Sequence, residues 1–234
     1  MDFVPSTTYS IFQSKHLFSY SVDSVFLTHF ASPKGKVADL GCGTGLLSLY
    51  AAYQKEVIRV DSVDILPEVI NLLEQSIKYN HLEDIVYAYC EDVLDFSESH
   101  KNTYDTVLVN PPYFKNSLKK LSPYKALAKQ EENRSLEDFI YGASRLLKGG
   151  GRGYFVLPAQ RLVDGLTWLR TYKLEPKRIQ FLSKKQGEPP FIFAVEGLKG
   201  GKSFLKIEPS QFLYDKEGRP LDYKNIYGEE GKNV

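Results

Sequence analysis

The 234-residue sequence is poor in the residues that build redox and metal centres, with two cysteines, one methionine and one tryptophan. Cys42 and Cys90 are far apart and lack any C-x-x-C spacing, which excludes a disulfide framework and a zinc site of the usual spacing. Two reduced thiols fit a cytoplasmic protein. No run approaches the roughly 18 apolar residues that a membrane-spanning helix needs. Met1–Ser10 has no basic start followed by an apolar stretch, so no secretory leader is expected. His16, His29, His81 and His100 form no ligand-spaced or triad-like pattern, and no metal is expected. Internal repeats and low-complexity tracts are missing too. Gly197–Gly201 is the one flexible-looking joint, and the tail beyond it carries enough apolar residues, Phe204 to Tyr214, to pack back on the body. A single domain over residues 1–234 is therefore expected, with 202–234 as a C-terminal extension.

What is present is an ordinary globular composition, 42% hydrophobic and 25% charged, with a net charge of +1. That total conceals an asymmetry. Residues 1–113 carry 7 Lys and Arg against 15 Asp and Glu, whereas residues 114–185 carry 16 against 6. A basic middle third on a near-neutral chain suits an anionic partner.

Short β-branched runs alternate with longer segments of helical period, the pattern of an α/β sheet. Strands are expected at Lys36–Leu40, Val57–Ile65, Ile85–Cys90, Thr106–Asn110 and Gly153–Leu157. Helices are expected at Leu46–Gln54, Glu68–Tyr79, Leu136–Leu147 and Leu162–Tyr172. Gly149-Gly150-Gly151 reads as the glycine stop of the third of these. Arg178–Leu182 and Phe191–Val195 are separated by a connection short enough to make them antiparallel neighbours. The expected fold is Rossmann-like: a mostly parallel seven-stranded sheet with an antiparallel last strand and helices on both faces.

The first strand runs into Asp39-Leu40-Gly41-Cys42-Gly43-Thr44-Gly45 directly before a helix. Glycines there permit a tight turn and close approach of a ligand to the main chain. The spacing is G-x-G-x-G, not the G-x-G-x-x-G of a pyrophosphate cradle. Asp39, two residues ahead of the first glycine, would repel a pyrophosphate but can accept from a cationic amino-acid headgroup. That suits the methionine end of S-adenosylmethionine. Asp64, in Val63-Asp64-Ile65, ends the second strand about 20 residues past the turn, where an acid can take both ribose hydroxyls; Asp61 is the competing candidate. Asp92 ends the third strand, beside the place for the cofactor's adenine; any one strand-end Asp could be a helix cap or a surface acid, but three in register along successive strand ends argue against that.

The fourth strand ends in Asn110-Pro111-Pro112-Tyr113. Methylating a planar nitrogen is difficult because its lone pair is delocalised. The amide oxygen of Asn110 and the backbone carbonyl of Pro111 can accept both N–H bonds of an exocyclic amine. Tyr113 offers a face on which the target ring can stack, and the two prolines rigidify the loop so that its acceptors are preorganised.

Together, Asp39–Gly45, Asp64, Asp92 and Asn110–Tyr113 resemble the class I methyltransferases that modify amino groups. Further residues narrow the likeness. Phe18–Val25, with Leu27 and Phe30, resembles the opening of the bacterial tRNA adenine-N6 methyltransferases, which modify the adenosine beside the anticodon of a valine tRNA. Gly187–Gly201, Leu205–Tyr214 and Ile226-Tyr227-Gly228 resemble that family's closing segments. Cys42-Gly43-Thr44 departs from it, since relatives often carry Thr-Gly-Asn or Thr-Gly-Ser. The resemblance implies S-adenosylmethionine as cofactor, tRNA as partner, Asn110 to Tyr113 around the target adenine, and no obligate protein partner. It also implies that the N-terminal segment 1–35, through Phe18–Asp23, covers a cofactor pocket that includes Gly41, Gly43, Gly45 and Ile65. Lys115, Lys119, Lys120, Lys125 and Lys129 would then flank the mouth where a flipped base enters, with Lys177, Arg178, Lys184 and Lys185 on the last strands and their connection. A glutamine-N5 protein methyltransferase would use the same loop on a carboxamide. Such enzymes usually carry a helical substrate domain, and only 35 residues precede the first strand. An RNA-binding module that kept the fold without catalysis is the remaining alternative.

Overall fold

The fold was obtained as a computed structural model that describes residues 1–14, 20–112 and 135–219. Phe18, Tyr113, the lysines at 115, 119, 120, 125 and 129, and Ile226-Tyr227-Gly228 lie outside the described residues.

An N-terminal hairpin, β1 (Asp2–Phe3) and β2 (Ser10–Ile11), precedes helix α1 (Val22–Phe30). Then come β3 (Gly35–Leu40), α2 (Leu46–Ala52), β4 (Val57–Asp64), α3 (Pro67–Tyr79), β5 (Val86–Cys90), α4 (Val93–Ser99) and β6 (Tyr104–Val109). The second half holds α5 (Leu136–Leu146), β7 (Leu147–Pro158), α6 (Leu162–Thr171), β8 (Leu174–Ser183) and β9 (Ile192–Lys199). Two-residue strands β10 (Lys206–Ile207) and β11 (Gln211–Phe212) close the described chain.

The seven expected strands form one sheet in the order β8-β9-β7-β6-β3-β4-β5. Pairs from β7 to β5 are parallel, and β9 runs antiparallel to both β7 and β8. The sheet has nine strands rather than seven because β10 and β11 both add parallel to the outer edge of β8. Backbone hydrogen bonds thereby cover an edge strand that would otherwise be open.

Period-2 alternation divides the core between the two faces. Leu108 packs with α1, α2 and α3 side chains, while its neighbours Val107 and Val109 pack with those of α4, α5 and α6. The hairpin is tied down by polar contacts: Asn80 exchanges two hydrogen bonds with the Ser10 backbone, and the Phe12 N–H donates to Ser76 Oγ.

Three further features differ from the sequence expectation. α1 was not foreseen as a helix, although Val22, Val25, Phe26 and Phe30 carry its period. α4 was also missed, although Asp92 is its N-cap and accepts from the Leu94 N–H at 2.8 Å. Gly149–Gly151 is not a helix stop, because the helix ends at Leu146 and the chain passes straight into β7. These glycines instead form an irregularity where the register against β6 shifts between Tyr104 and Thr106. A Cβ on Gly151 would stand 3.2 Å from the Asp105 carbonyl oxygen, so the bulge brings two backbones together.

Candidate cofactor and substrate site

The parallel strands β3, β4, β5 and β6 all end on one edge of the sheet, where open α/β sheets bind ligands. A cavity of about 350 Å³ lies there, within the range of small-molecule sites. Most of its wall comes from five parts of the chain, and Phe139 of α5 adds a sixth. The β3–α2 turn gives Gly41, Cys42, Gly43 and Thr44; the end of β4 gives Asp64, Ile65 and Leu66; the end of β5 gives Asp92. The end of β6 gives Asn110, Pro111 and Pro112, and the start of α1 gives Tyr20, Ser21, Asp23 and Ser24.

The glycine turn is left-handed at three points, with φ of +67° at Gly41, +53° at Gly43 and +91° at Gly45. Their uses differ. A Cβ at Gly43 would meet nothing within 4 Å, so this glycine leaves open space beside the cavity. At Gly45 it would come within 2.4 Å of Leu73 Cδ1. Gly45 does not line the cavity; it lets α2 start flush against α3.

Asp64 is nearly buried and holds this turn in place. Its Oδ2 accepts from the Gly43 N–H at 2.9 Å and its Oδ1 from the Leu66 N–H at 3.0 Å. Burial raises its pKa above the usual carboxylate value, and those two N–H donors oppose the rise. Each carboxylate oxygen has a second lone pair to offer a ligand. Asp61 is elsewhere: it takes hydrogen bonds from Arg59 Nε and the Tyr104 hydroxyl, both at 2.8 Å, and does not line the cavity.

Asp39 is fully buried and not in the cavity wall. Its Oδ2 accepts from Ser48 Oγ at 2.6 Å, and Ser48 accepts in turn from Ser62 at 2.7 Å. Burial raises the Asp39 carboxyl to about 7, with the Ser48 hydroxyl opposing the rise and the charge of Asp64 adding to it. Its Oδ1 has no hydrogen-bond partner among the described residues. A buried acceptor without a donor beside a ligand cavity suits a cationic headgroup, directly or through water.

Asp92 both caps α4 and lines the cavity, so capping the helix does not take it away from the cavity wall. Asp23 lines the cavity from the first turn of α1, and burial raises its pKa. No lysine, arginine or histidine contributes to the wall among the described residues. The cavity is thus an electronegative pocket, and the N–H groups of Gly41, Cys42 and Gly43 on its glycine turn are spent within the protein, on the Val63 carbonyl and Asp64.

Asn110 joins the wall directly after β6, and its Nδ2 donates to Ser24 Oγ at 2.7 Å. Tyr20, Ser24 and Phe139 are wall residues that sequence reasoning did not single out. The first two adjoin Asp23 in the segment expected to cover the pocket.

The described basic residues separate by position. β8 runs in the same direction as β7, so Lys184 and Lys185, which follow its end, lie on the cavity edge of the sheet. Lys177 and Arg178 lie in the first half of β8, toward the opposite edge. Arg178 is engaged by Glu196 and Glu208, each at 3.1 Å, with its guanidinium 4.6 Å from the Phe30 ring centroid. Arg152 completes this network on Glu196. Lys177 Nζ donates to the Lys202 carbonyl.

Among the described residues no group of three or more His, Cys, Asp or Glu is placed to hold a metal, and no helix is long and apolar enough to cross a membrane.

Residues 9–166 match the family described as "Methyltransferase small domain". A curated relative, the tRNA1(Val) (adenine(37)-N6)-methyltransferase of Aliivibrio salmonicida, is 27% identical over 168 residues, covering 71% of this chain and 70% of its own. The Parabacteroides distasonis protein of the same name is 26% identical over 216 residues, covering 89% of this chain and 91% of its own. Among solved structures, a predicted O-methyltransferase from Agrobacterium tumefaciens superposes with a TM-score of 0.68 at 17% identity, covering 88% of this chain and 95% of its own. At that identity the likeness is one of fold.

Proposed function

The chain belongs to the methyltransferase small domain family, and from that premise we propose that it transfers a methyl group from S-adenosyl-L-methionine to the exocyclic N6 of an adenosine in tRNA, adenosine 37 of a valine tRNA. The observation that carries the reading is that Asn110-Pro111-Pro112 opens onto the same cavity as the glycine turn, Asp64 and Asp92. Relatives over most of the chain's length carry the tRNA adenosine activity in their names.

The residues fit the cofactor. The backbone at Gly41 and Gly43 would hold its methionine end, with Asp39 the acceptor for the ammonium; Asp64 would hold the ribose and Asp92 the adenine edge. S-adenosylmethionine, when bound, supplies an electrophilic methyl group on a cationic sulfur. The electronegative wall favours a cation over a neutral product. Asn110 Oδ1 and the Pro111 carbonyl accept the two N–H bonds of the target amine. That orients the nitrogen toward the methyl donor and favours localisation of its lone pair as the new bond forms. The amine proton released afterward leaves to solvent, so neither a strong general base nor a metal is invoked. Lys184 and Lys185, with the lysines between residues 114 and 130, meet tRNA phosphates. The chain acts in this reading as one methyltransferase domain over 1–234, in the cytoplasm and without an obligate protein partner.

The deciding experiment incubates the protein and radiolabelled S-adenosylmethionine with tRNA from a strain lacking it, then maps N6-methyladenosine. Label at adenosine 37 of valine tRNA is expected. Label that enters only protein would assign the loop to a glutamine carboxamide, and cofactor binding without any transfer would leave an RNA-binding module.

A further inference from the structure

We propose that Ser24 is a positioning residue for methyl transfer: its hydroxyl anchors the amide nitrogen of Asn110 and so turns the amide oxygen toward the target amine. The inference rests on the reading that Asn110 receives an exocyclic amine. A side-chain amide presents an acceptor on one end and two donors on the other. Its terminal torsion is soft and nearly two-fold, so packing alone selects weakly between the two orientations. The choice matters here because an exocyclic amine also presents donors. With the NH2 group toward the substrate, donor would face donor and the nitrogen would be pushed away.

The geometry selects the other orientation. Asn110 Nδ2 donates to Ser24 Oγ at 2.7 Å, a contact that joins positions 86 residues apart. No described group donates to Asn110 Oδ1. Ser24 is only 8% exposed, and the helix that carries it is clamped by Val25 and Leu27, both fully buried. The hydroxyl is therefore held by the core while the amide it grips faces the cavity. Pro111 fixes the backbone on the other side of Asn110. The segment before β3 thus does more than cover the pocket, because its first helical turn sets the polarity of the substrate acceptor.

The test is single-turnover methylation of tRNA with Ser24→Ala, Ser24→Thr, Asn110→Ala and the Ser24→Ala/Asn110→Ala double variant, with cofactor affinity measured beside it. Ser24→Ala should lower the rate constant about tenfold, the effect of one neutral hydrogen bond felt in the transition state. The Kd for S-adenosylmethionine and the KM for tRNA should move by less than about twofold. Ser24→Thr keeps the hydroxyl and should recover most of the rate. On the Asn110→Ala background, Ser24→Ala should cost less than about twofold, because the group it positions is gone. A wild-type rate for Ser24→Ala would overturn the proposal. So would a full tenfold loss added to Asn110→Ala, which would mean that Ser24 acts through packing. If threonine's extra methyl lowers the melting temperature, the double-variant comparison decides by itself. Failure of the wild-type protein to form N6-methyladenosine would overturn the proposed function instead, a result separate from any outcome for Ser24.

Discussion

Asp61 and Asp64 are three positions apart on β4, so the pleat turns them to opposite faces of the sheet. Asp61 spends its oxygens on Arg59 and Tyr104, whereas Asp64 holds the glycine turn at the cavity wall. Asp64→Ala should weaken S-adenosylmethionine binding by about 2–3 kcal/mol, the scale of a lost charged hydrogen-bonding partner. Asp61→Ala should leave that affinity within about twofold and lower unfolding stability by about 2 kcal/mol, since it strips a buried hydroxyl and a part-buried guanidinium. Calorimetry and urea denaturation on both variants check the pair; the reverse pattern would move the ribose role to Asp61. Asn110→Ala should cut turnover on the order of 10²-fold or more while cofactor affinity stays within a few-fold, read by single-turnover assay and calorimetry. Asp39 gives a pH signature. Its carboxyl is raised from the unfolded value of 3.8 to about 7, so the folded state holds its proton more tightly than the unfolded chain does. The stability contribution is therefore full below about pH 4 and is lost as pH rises to about 7, at up to about 1.4 kcal/mol per unit. Asp39→Asn should flatten the ligand-free stability curve in that window. An unchanged curve would mean that Asp39 is ionised throughout.

Elements were legible where their own residues decide them and obscure where a neighbour decides. The G-x-G-x-G turn and the acids that end β4 and β5 announce themselves because strand ends and glycine turns are set by local backbone geometry, and all of them reach the cavity wall. α1 was hidden behind a family likeness that read its residues as cover, although Val25, Phe26 and Phe30 have helical spacing. The triple glycine looked like a helix stop because Asp105, which its bulge approaches, is more than forty residues away in sequence. Strands β10 and β11 have only two residues each and exist because the edge of β8 offers partners. Nothing in the sequence marks Ser24 as Asn110's partner. Gly45 shows how one position serves two elements at once. Gly45→Ala should destabilise the fold by about 1–3 kcal/mol, from a left-handed backbone and a Cβ driven into Leu73. Pairing it with Leu73→Ala should recover part of the thermal shift, whereas no recovery would assign the whole cost to backbone strain.

Across the whole molecule, charge separates by edge. The cavity draws its carboxylates from the first half of the chain, and the basic residues beside it come from the second. Lys184→Ala with Lys185→Ala should flatten the fall of log tRNA affinity with log salt by roughly 1–2 units, since each phosphate contact contributes about 0.7–0.9. Arg178→Ala should leave that slope alone and lower the melting temperature, because it removes one of the two guanidinium groups paired with the buried Glu196. Salt titrations of the two variants beside wild type check both. Parallel lines for all three would move the contact to the lysines between residues 114 and 130.

The position of β9 carries a consequence for synthesis on the ribosome. β9 is the seventh main strand in sequence but lies between the fifth and sixth, β7 and β8. Until Lys199 has emerged, β8 has no long partner in the sheet and β7 presents an open edge. Every described cavity-lining residue lies before position 140. The ligand cavity is therefore translated in full while its sheet is still half built, and the nascent chain passes through an interval when holdase chaperones have an exposed apolar strand to grip.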